Sequence, residues 1–234
     1  MRRLAIIPAR GGSKRVPDKN IRDFCGRPMI GHILQTAKAS NLFDVIHVST
    51  ENDKIKRVVE SLGFEIDFDR PEDLADDYTP LMPVLKFVTE KYVSLDQTFD
   101  QVWLLMPCSP LIETIDLLAA SKLFERHNGE YAVMSAAVYS TPIERAFTCD
   151  VNGSMTPLDA KALAIRTQDL EDKYYDAGAF EILSSKDVLG SEDTVATEKY
   201  LAYVLPKFKS IGIDDGDDFA LAEMIYRGYH HTSV

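Results

Sequence analysis

The residues best equipped for chemistry stand together near the N-terminus. Residues 8–20 read Pro-Ala-Arg-Gly-Gly-Ser-Lys-Arg-Val-Pro-Asp-Lys-Asn. Arg10, Lys14, Arg15 and Lys19 supply four positive charges, and Ser13 adds a hydroxyl. Gly11 and Gly12 let the backbone turn tightly and bring its N–H groups close to a ligand. This set of groups neutralises and cradles phosphate. A solvated basic loop is the plainer alternative. Two glycines and four cations directly behind a buried strand weigh against it. Neither G-x-x-x-x-G-K-[ST] nor G-x-G-x-x-G is present, so by motif the segment is neither a P-loop ATPase nor a standard dinucleotide fold.

The elements that must hold this loop can be followed along the chain. Residues 4–7 are a short apolar run ended by Pro8, which predicts a buried parallel strand. Pro28 opens a helix whose buried stripe is Met29, Ile30, Ile33, Leu34 and Ala37. Residues 45–49 read as a second strand, in which His47 is a packing residue. A helix to about Leu62, stopped by Gly63, leads to a third candidate strand over 64–68. After a polar loop over 70–79, Thr79 caps a helix that begins with Pro80 and runs to about Tyr92. Strands at 101–106 and 131–138 flank a helix over about 114–127.

This alternation predicts a mainly parallel sheet with right-handed crossovers. Ligands of such sheets bind outside the carboxyl ends of the strands, so loops 8–20, 68–79 and 107–114 should meet at one edge. The pattern changes over roughly 140–180, where short pieces without βαβ spacing suggest an insertion with a second task, such as a dimer contact or a lid. Strands are expected at 177–183, 201–205 and 210–213, and a final helix from Asp217. No repeats or linkers appear, so residues 1–234 read as one domain with an excursion.

Charge narrows the class of ligand. The 234-residue chain carries a net −11, which argues against general nucleic-acid binding. Residues 1–30 hold eight Lys/Arg against two acids, a net +6, while the remaining 204 residues hold 18 bases against 35 acids, a net −17. One basic segment in an acidic protein points to a small anionic ligand. No apolar run approaches a membrane span, and no signal-peptide pattern is evident. Cys25, Cys108 and Cys149 are scattered and odd in number, which fits a reducing cytoplasm rather than a disulfide framework or zinc site.

The string Ile-Pro-Ala-Arg-Gly-Gly-Ser-Lys, with Lys19-Asn20 four residues on, resembles the N-terminal signature of the acylneuraminate cytidylyltransferases. These enzymes activate nine-carbon sugar acids as CMP esters. The likeness covers most of the chain. It implies a three-layer α/β/α Rossmann-like nucleotidyltransferase fold with a mainly parallel sheet and a small inserted segment. By resemblance, Arg10, Gly11, Gly12, Ser13 and Lys14 hold the triphosphate, and Lys19 lies near the reacting phosphate. Asn20, and Arg70 in Asp-Arg-Pro-(two residues)-Leu-Ala-Asp-Asp, help to read cytosine, and Thr79 approaches the nucleotide. Lys19 and Arg70 as surface charges, and Thr79 as a helix cap alone, are the plainer alternatives.

Thr141-Pro-Ile-Glu-Arg-Ala, Arg166-Thr-Gln168-Asp-Leu and Tyr175-Asp-Ala-Gly-Ala-Phe are similar to the pseudaminic acid branch of the family. Arg145, Arg166 and Gln168 are thereby implied on the sugar side, where Arg suits a carboxylate. Either arginine could equally serve in a structural ion pair. Met106 stands where the neuraminate branch carries a glutamine that touches the sugar, which argues against a plain neuraminate substrate. Ile211-Gly-Ile-Asp214 resembles the family's metal-binding Asp-Ile-Asp, with Gly212 replacing the first acid. Asp214 is then the implied Mg2+ ligand, and Asp215 or Asp217 could substitute for the missing one. The implied activity is CMP transfer from CTP to a 2-keto sugar acid by a cytoplasmic homodimer, pseudaminic acid being favoured over neuraminic, legionaminic or Kdo-type acids. A nucleotide-binding regulatory protein with a decayed site is the rival of another class.

Overall fold

The computed structural model describes residues 1–191 and 199–231. The chain runs β1 (Arg3–Pro8), β2 (Asp23–Phe24), β3 (Arg27–Pro28), α1 (Met29–Ser40), β4 (Val45–Ser49), α2 (Asp53–Ser61), α3 (Leu81–Ser94) and β5 (Gln101–Leu105). It continues through α4 (Thr114–Arg126), β6 (Ala132–Val138), β7 (Phe147–Cys149), β8 (Met155–Pro157), β9 (Tyr174–Ser184), α5 (Ser185–Gly190), β10 (Tyr200–Val204) and α6 (Gly216–His231).

Six strands form one sheet in the order β10-β6-β9-β5-β1-β4. Parallel pairing joins β1 to β4 and β5, and β6 to β10. The sheet is covered on both faces, which is why its strands are apolar without alternation. Ala5 and Ile7 of β1 point into a core shared with α1, α2 and α4, whereas Leu4 and Ile6 point into a second core against α3 and α5. The three-layer α/β/α arrangement is therefore built on β1.

β9 runs antiparallel to both its neighbours, β5 and β6. Its direction follows from the connection before it. Val138 at the end of β6 pairs with Tyr174 at the start of β9. The chain leaves the sheet at one edge, makes its excursion over residues 139–173, and re-enters at the same edge, so the returning strand must run backwards. A register shift between Met134 and Ala136 is filled by Ser135, whose Oγ accepts from the N–H groups of Ala179 and Phe180 at 3.1 and 3.0 Å.

Four local expectations are corrected. Residues 64–68 form no strand; Phe64 and Ile66 pack on the first core and Phe68 on the second, so the segment wraps the sheet edge beside β4 instead of extending it. Residues 210–213 are also irregular, because Ile213 is drawn into a third apolar cluster with Val16, Phe24, Met29 and Phe219. Thr79 does not cap α3; the residue before the helix is Pro80 and no side chain caps it, while the Thr79 hydroxyl donates to Asp76 at 2.7 Å. Pro28 precedes α1 as its N-cap residue rather than opening its first turn. His47 is a packing residue, 1% exposed and stacked on Phe68 with ring centroids 4.4 Å apart. The third cluster matters for function, since it fastens the basic loop, through Val16, to the start of α6.

Candidate active site

The loop after β1, the loop between α2 and α3 and the loop after β5 converge at the carboxyl edge of the sheet, around a cavity of about 250 Å3. Arg10, Ser13, Lys19 and Asn20 line it from the first loop, Arg70, Asp76, Asp77 and Thr79 from the second, and Met106, Pro107 and Cys108 from the third. The side chains with the most specific geometry are the buried ones. Asn20 is 6% exposed; its amide Nδ2 donates to the Arg10 carbonyl at 3.0 Å, and its Oδ1 accepts from the Cys108 thiol at 3.4 Å. Arg70 is 5% exposed and donates from Nε and Nη2 to the Oγ and carbonyl of Ser49, at 3.1 and 2.6 Å. Burial lowers the Arg70 pKa; the Glu51 carboxylate opposes that effect and the Arg10 charge adds to it. Both side chains are thus anchored to backbone at strand or loop ends, with a remaining edge turned to the cavity.

The two glycines differ in what they permit. Neither has a positive φ. A Cβ on Gly11 would fall 2.1 Å from Asn52 Nδ2, the side chain that caps α2, so the residue is glycine for space. A Cβ on Gly12 would meet only Arg10 Nη1, at 3.8 Å. The Gly11 N–H donates to Glu51 Oε1 at 2.8 Å, and the other Glu51 oxygen is buried without a hydrogen-bond partner.

The cations of the basic loop carry an internal counter-ion. The Asp77 carboxylate bridges them, one oxygen on Arg10 and the other on Lys14, and these contacts hold its pKa below the usual carboxylate range, Lys14 first and Arg10 second. Asp76 orders this acidic turn by accepting from the Thr79 hydroxyl and from the N–H groups of Tyr78 and Thr79, which lowers its pKa as well. Lys19 Nζ donates to the Ile213 carbonyl at 2.6 Å, and so brings the loop before α6 to the rim of the cavity. Asp214 follows there, 2.9 Å from the Arg15 guanidinium and close enough for its charge to act on the Cys108 thiol, which burial pushes up to about 11.

Residues 4–193 match the cytidylyltransferase family model. The chain is 34% identical, over 100% of its own length and of the relative's, to the pseudaminic acid cytidylyltransferase of Campylobacter jejuni subsp. jejuni serotype O:2. It is 30% identical to the N-acylneuraminate cytidylyltransferase of Streptococcus agalactiae serotype III, over 94% of this chain and 52% of that one. The chain belongs to the cytidylyltransferase family. Its fold is also that of a solved CMP:2-keto-3-deoxy-manno-octonic acid synthetase complexed with CTP, with a TM-score of 0.71 at 15% identity over 98% of this chain and 100% of the other.

Within this cytidylyltransferase the sequence-derived residues fall into two groups. Arg10, Ser13, Lys19, Asn20, Arg70 and Thr79 share the cavity, and Lys14 reaches it through Asp77. Arg145, Arg166 and Gln168 lie apart, on the excursion. An Arg145 Nη donates to the Ile165 carbonyl, and Arg166 grips Asp169 through two hydrogen bonds of 2.8 and 3.2 Å. Gln168 lines a second cavity of about 400 Å3 with Tyr139, Thr141, Lys173 and Lys207, where the excursion joins the body.

Asp214 is a single exposed carboxylate. Asp215 is used instead to accept from the N–H groups of Asp217 and Asp218 at the start of α6. Among the described residues no three His, Cys, Asp or Glu side chains gather as a metal site. The donor set fits a hard cation that takes most of its shell from phosphate oxygens and water, and does not fit an all-protein cage. Sequence reasoning missed Asp77 and Glu51. Acids beside a basic loop read as solvated charge, and only their placement against Lys14 and Gly11 shows otherwise.

Proposed function

We propose that this chain transfers CMP from CTP to the anomeric hydroxyl of a nine-carbon 2-keto sugar acid, pseudaminic acid first, and releases pyrophosphate. One observation carries the proposal: Arg10, Lys19, Asn20 and Arg70 converge on one cavity in a chain similar from end to end to a pseudaminic acid cytidylyltransferase. The hydroxyl attacks the α-phosphorus, and charge develops on the phosphoryl oxygens and the leaving pyrophosphate. Such a transfer needs positioning and positive charge more than covalent help. In this account Arg10 and Lys14 exchange Asp77 for the triphosphate, and Lys19 faces the reacting phosphate. Gly11, Gly12 and Ser13 shape the loop, Asn20 and Arg70 read the cytosine edge, and Thr79 borders the nucleotide. Magnesium, held through Asp214, would neutralise phosphate charge and make the attacking hydroxyl more acidic.

The excursion supports a homodimer, with residues 1–234 as one catalytic domain and the excursion as its contact. Ile143, Phe147, Val151, Met155 and Leu158 are all exposed there, an apolar surface that a second copy would cover. Arg145, Arg166 and Gln168 on the same segment would meet the acidic acceptor. The free state of all three cysteines and the lack of any helix able to cross a membrane among the described residues are compatible with the cytoplasm. The test is pyrophosphate release from CTP with pseudaminic, neuraminic, legionaminic and Kdo-type acids, with and without magnesium. Preferred turnover of pseudaminic acid is expected. CTP binding without turnover of any acceptor would overturn the proposal in favour of a regulatory protein.

A further inference from the structure

β9 carries a half-buried acidic side chain. Glu181 lies opposite Leu104 of β5 and Met134 of β6. Its Oε1 is sealed from solvent and has no hydrogen-bond partner among the described residues, and the Tyr200 hydroxyl lies close enough to act on the carboxyl. A buried carboxyl oxygen left unpaired costs stability, so its retention calls for a partner supplied from outside the fold. Beside it is a small cavity of about 80 Å3, whose walls are apolar except for Asp176 and Glu181. Asp176 is already engaged, accepting from the Gly178 N–H at 2.8 Å. Leu81 and Met106 line both this cavity and the nucleotide cavity, so the two spaces adjoin across these side chains.

We propose that Glu181 reads the acceptor: its unpartnered carboxyl oxygen takes a hydrogen bond from a hydroxyl or amide N–H that the sugar acid extends into this small cavity. The inference rests on the transfer to a sugar acid argued above. Several features agree with it. Glu181 and Met106 line the same small cavity, and Met106 also lines the nucleotide cavity. Burial, with the Asp176 charge beside it, holds the Glu181 carboxyl up at about 7, while the Tyr200 hydroxyl pulls the other way. Leu104, Met134 and Leu81, which face it from β5, β6 and α3, carry no charge. A donor from the sugar binds the ionised carboxylate more strongly than the neutral acid. The acceptor KM should therefore fall as pH rises through about 7.

The test compares wild type, Glu181→Gln and Glu181→Leu in steady-state turnover of CTP and sugar acid on both sides of pH 7, with melting temperatures alongside. Glu181→Leu should raise the acceptor KM about tenfold, as the loss of one buried charge-assisted hydrogen bond does, while the CTP KM stays within about twofold. Glu181→Gln, which keeps an acceptor oxygen but no titration, should raise it less and abolish the pH inflection. Glu181→Leu should melt no lower than wild type, because it removes an unpaired buried carboxyl. An unchanged acceptor KM in Glu181→Leu, or an inflection that persists in Glu181→Gln, overturns the inference alone. Absence of turnover by the wild type with every sugar acid overturns the transfer proposal, and this inference with it.

Discussion

The cavity at the carboxyl edge of the sheet and the excursion over residues 139–173 both carry polar and charged side chains, yet they are held in opposite ways. Asn20 and Arg70 are nearly sealed and bonded to backbone atoms at the carboxyl edge of the sheet. Arg166 has a 73% exposed side chain that, among the described residues, is bonded only to Asp169, three residues on. The first arrangement is preorganised, since the rigid sheet fixes the partner groups before any ligand arrives. The second spends its side chains on local ion pairs of small worth, beneath apolar residues as exposed as Val151. The cavity is braced by the chain's own backbone, whereas the excursion leaves its apolar side chains uncovered.

The largest expected effect breaks this contrast at its most rigid point. Arg70→Ala should lower kcat/KM for CTP by roughly 10²–10³-fold, because it removes both the cavity-facing edge and the bonds to Ser49. Arg70→Lys should recover little of this, since an ammonium lacks the planar fork. Rescue by lysine would mean that Arg70 acts only as charge.

On the other side, replacing Val151 and Met155 together by Asp should weaken self-association by about 100-fold, measured by light scattering against concentration. The CTP dissociation constant should hold. A shift in CTP affinity in the monomeric variant would show that the two regions are not separable.

A third experiment probes the packing beneath the cavity by pH. Burial lowers the His47 imidazole pKa from 6.5 to about 4. The unfolded chain takes up a proton at 6.5 and the folded one does not until about 4, so stability is lost as pH falls through that window, by roughly 3 kcal/mol. In His47→Asn this slope should vanish in denaturant melts. Persistence of the slope would place its origin elsewhere. Glu181 works in the opposite sense, because its raised pKa costs stability as pH rises from 4.5 to about 7. The two slopes partly cancel in the wild type and separate only in the variants.

The smallest effect concerns Asp77. If the triphosphate takes Arg10 and Lys14 as proposed, this exposed carboxylate competes with it and should weaken nucleotide binding only modestly. Asp77→Asn is expected to tighten CTP about threefold to tenfold in calorimetry, with the gain shrinking at high salt. Weaker binding would show instead that Asp77 holds the cations in their productive places.

Much of the fold is legible in the apolar runs. Residues 4–7, 45–49 and 101–106 announce buried strands because both faces of the sheet are covered. Residues 64–68 carry the same kind of signal and fail, since Phe64, Ile66 and Phe68 find burial around the sheet edge without pairing. Apolar content reports that a segment is buried, not what its backbone bonds to. The candidate site divides in the same manner. The basic loop stands out because its types and spacing are local, whereas Asp77, Glu51 and Glu181 look like ordinary surface acids.

By itself the sequence determined the glycine-rich basic loop, the strand–helix alternation and the membership of a family, all of which are written in neighbouring residues. Only the tertiary structure decided that β9 runs backwards, that Asp77 sits between Arg10 and Lys14, and that one Glu181 oxygen is sealed without a partner. Each of these depends on groups far apart in the chain: Asp77 lies some sixty residues from its cations, and Glu181 is buried by strands from three other parts of the molecule. A charge's environment is set by what packs around it, and packing is the one property that no stretch of sequence carries alone.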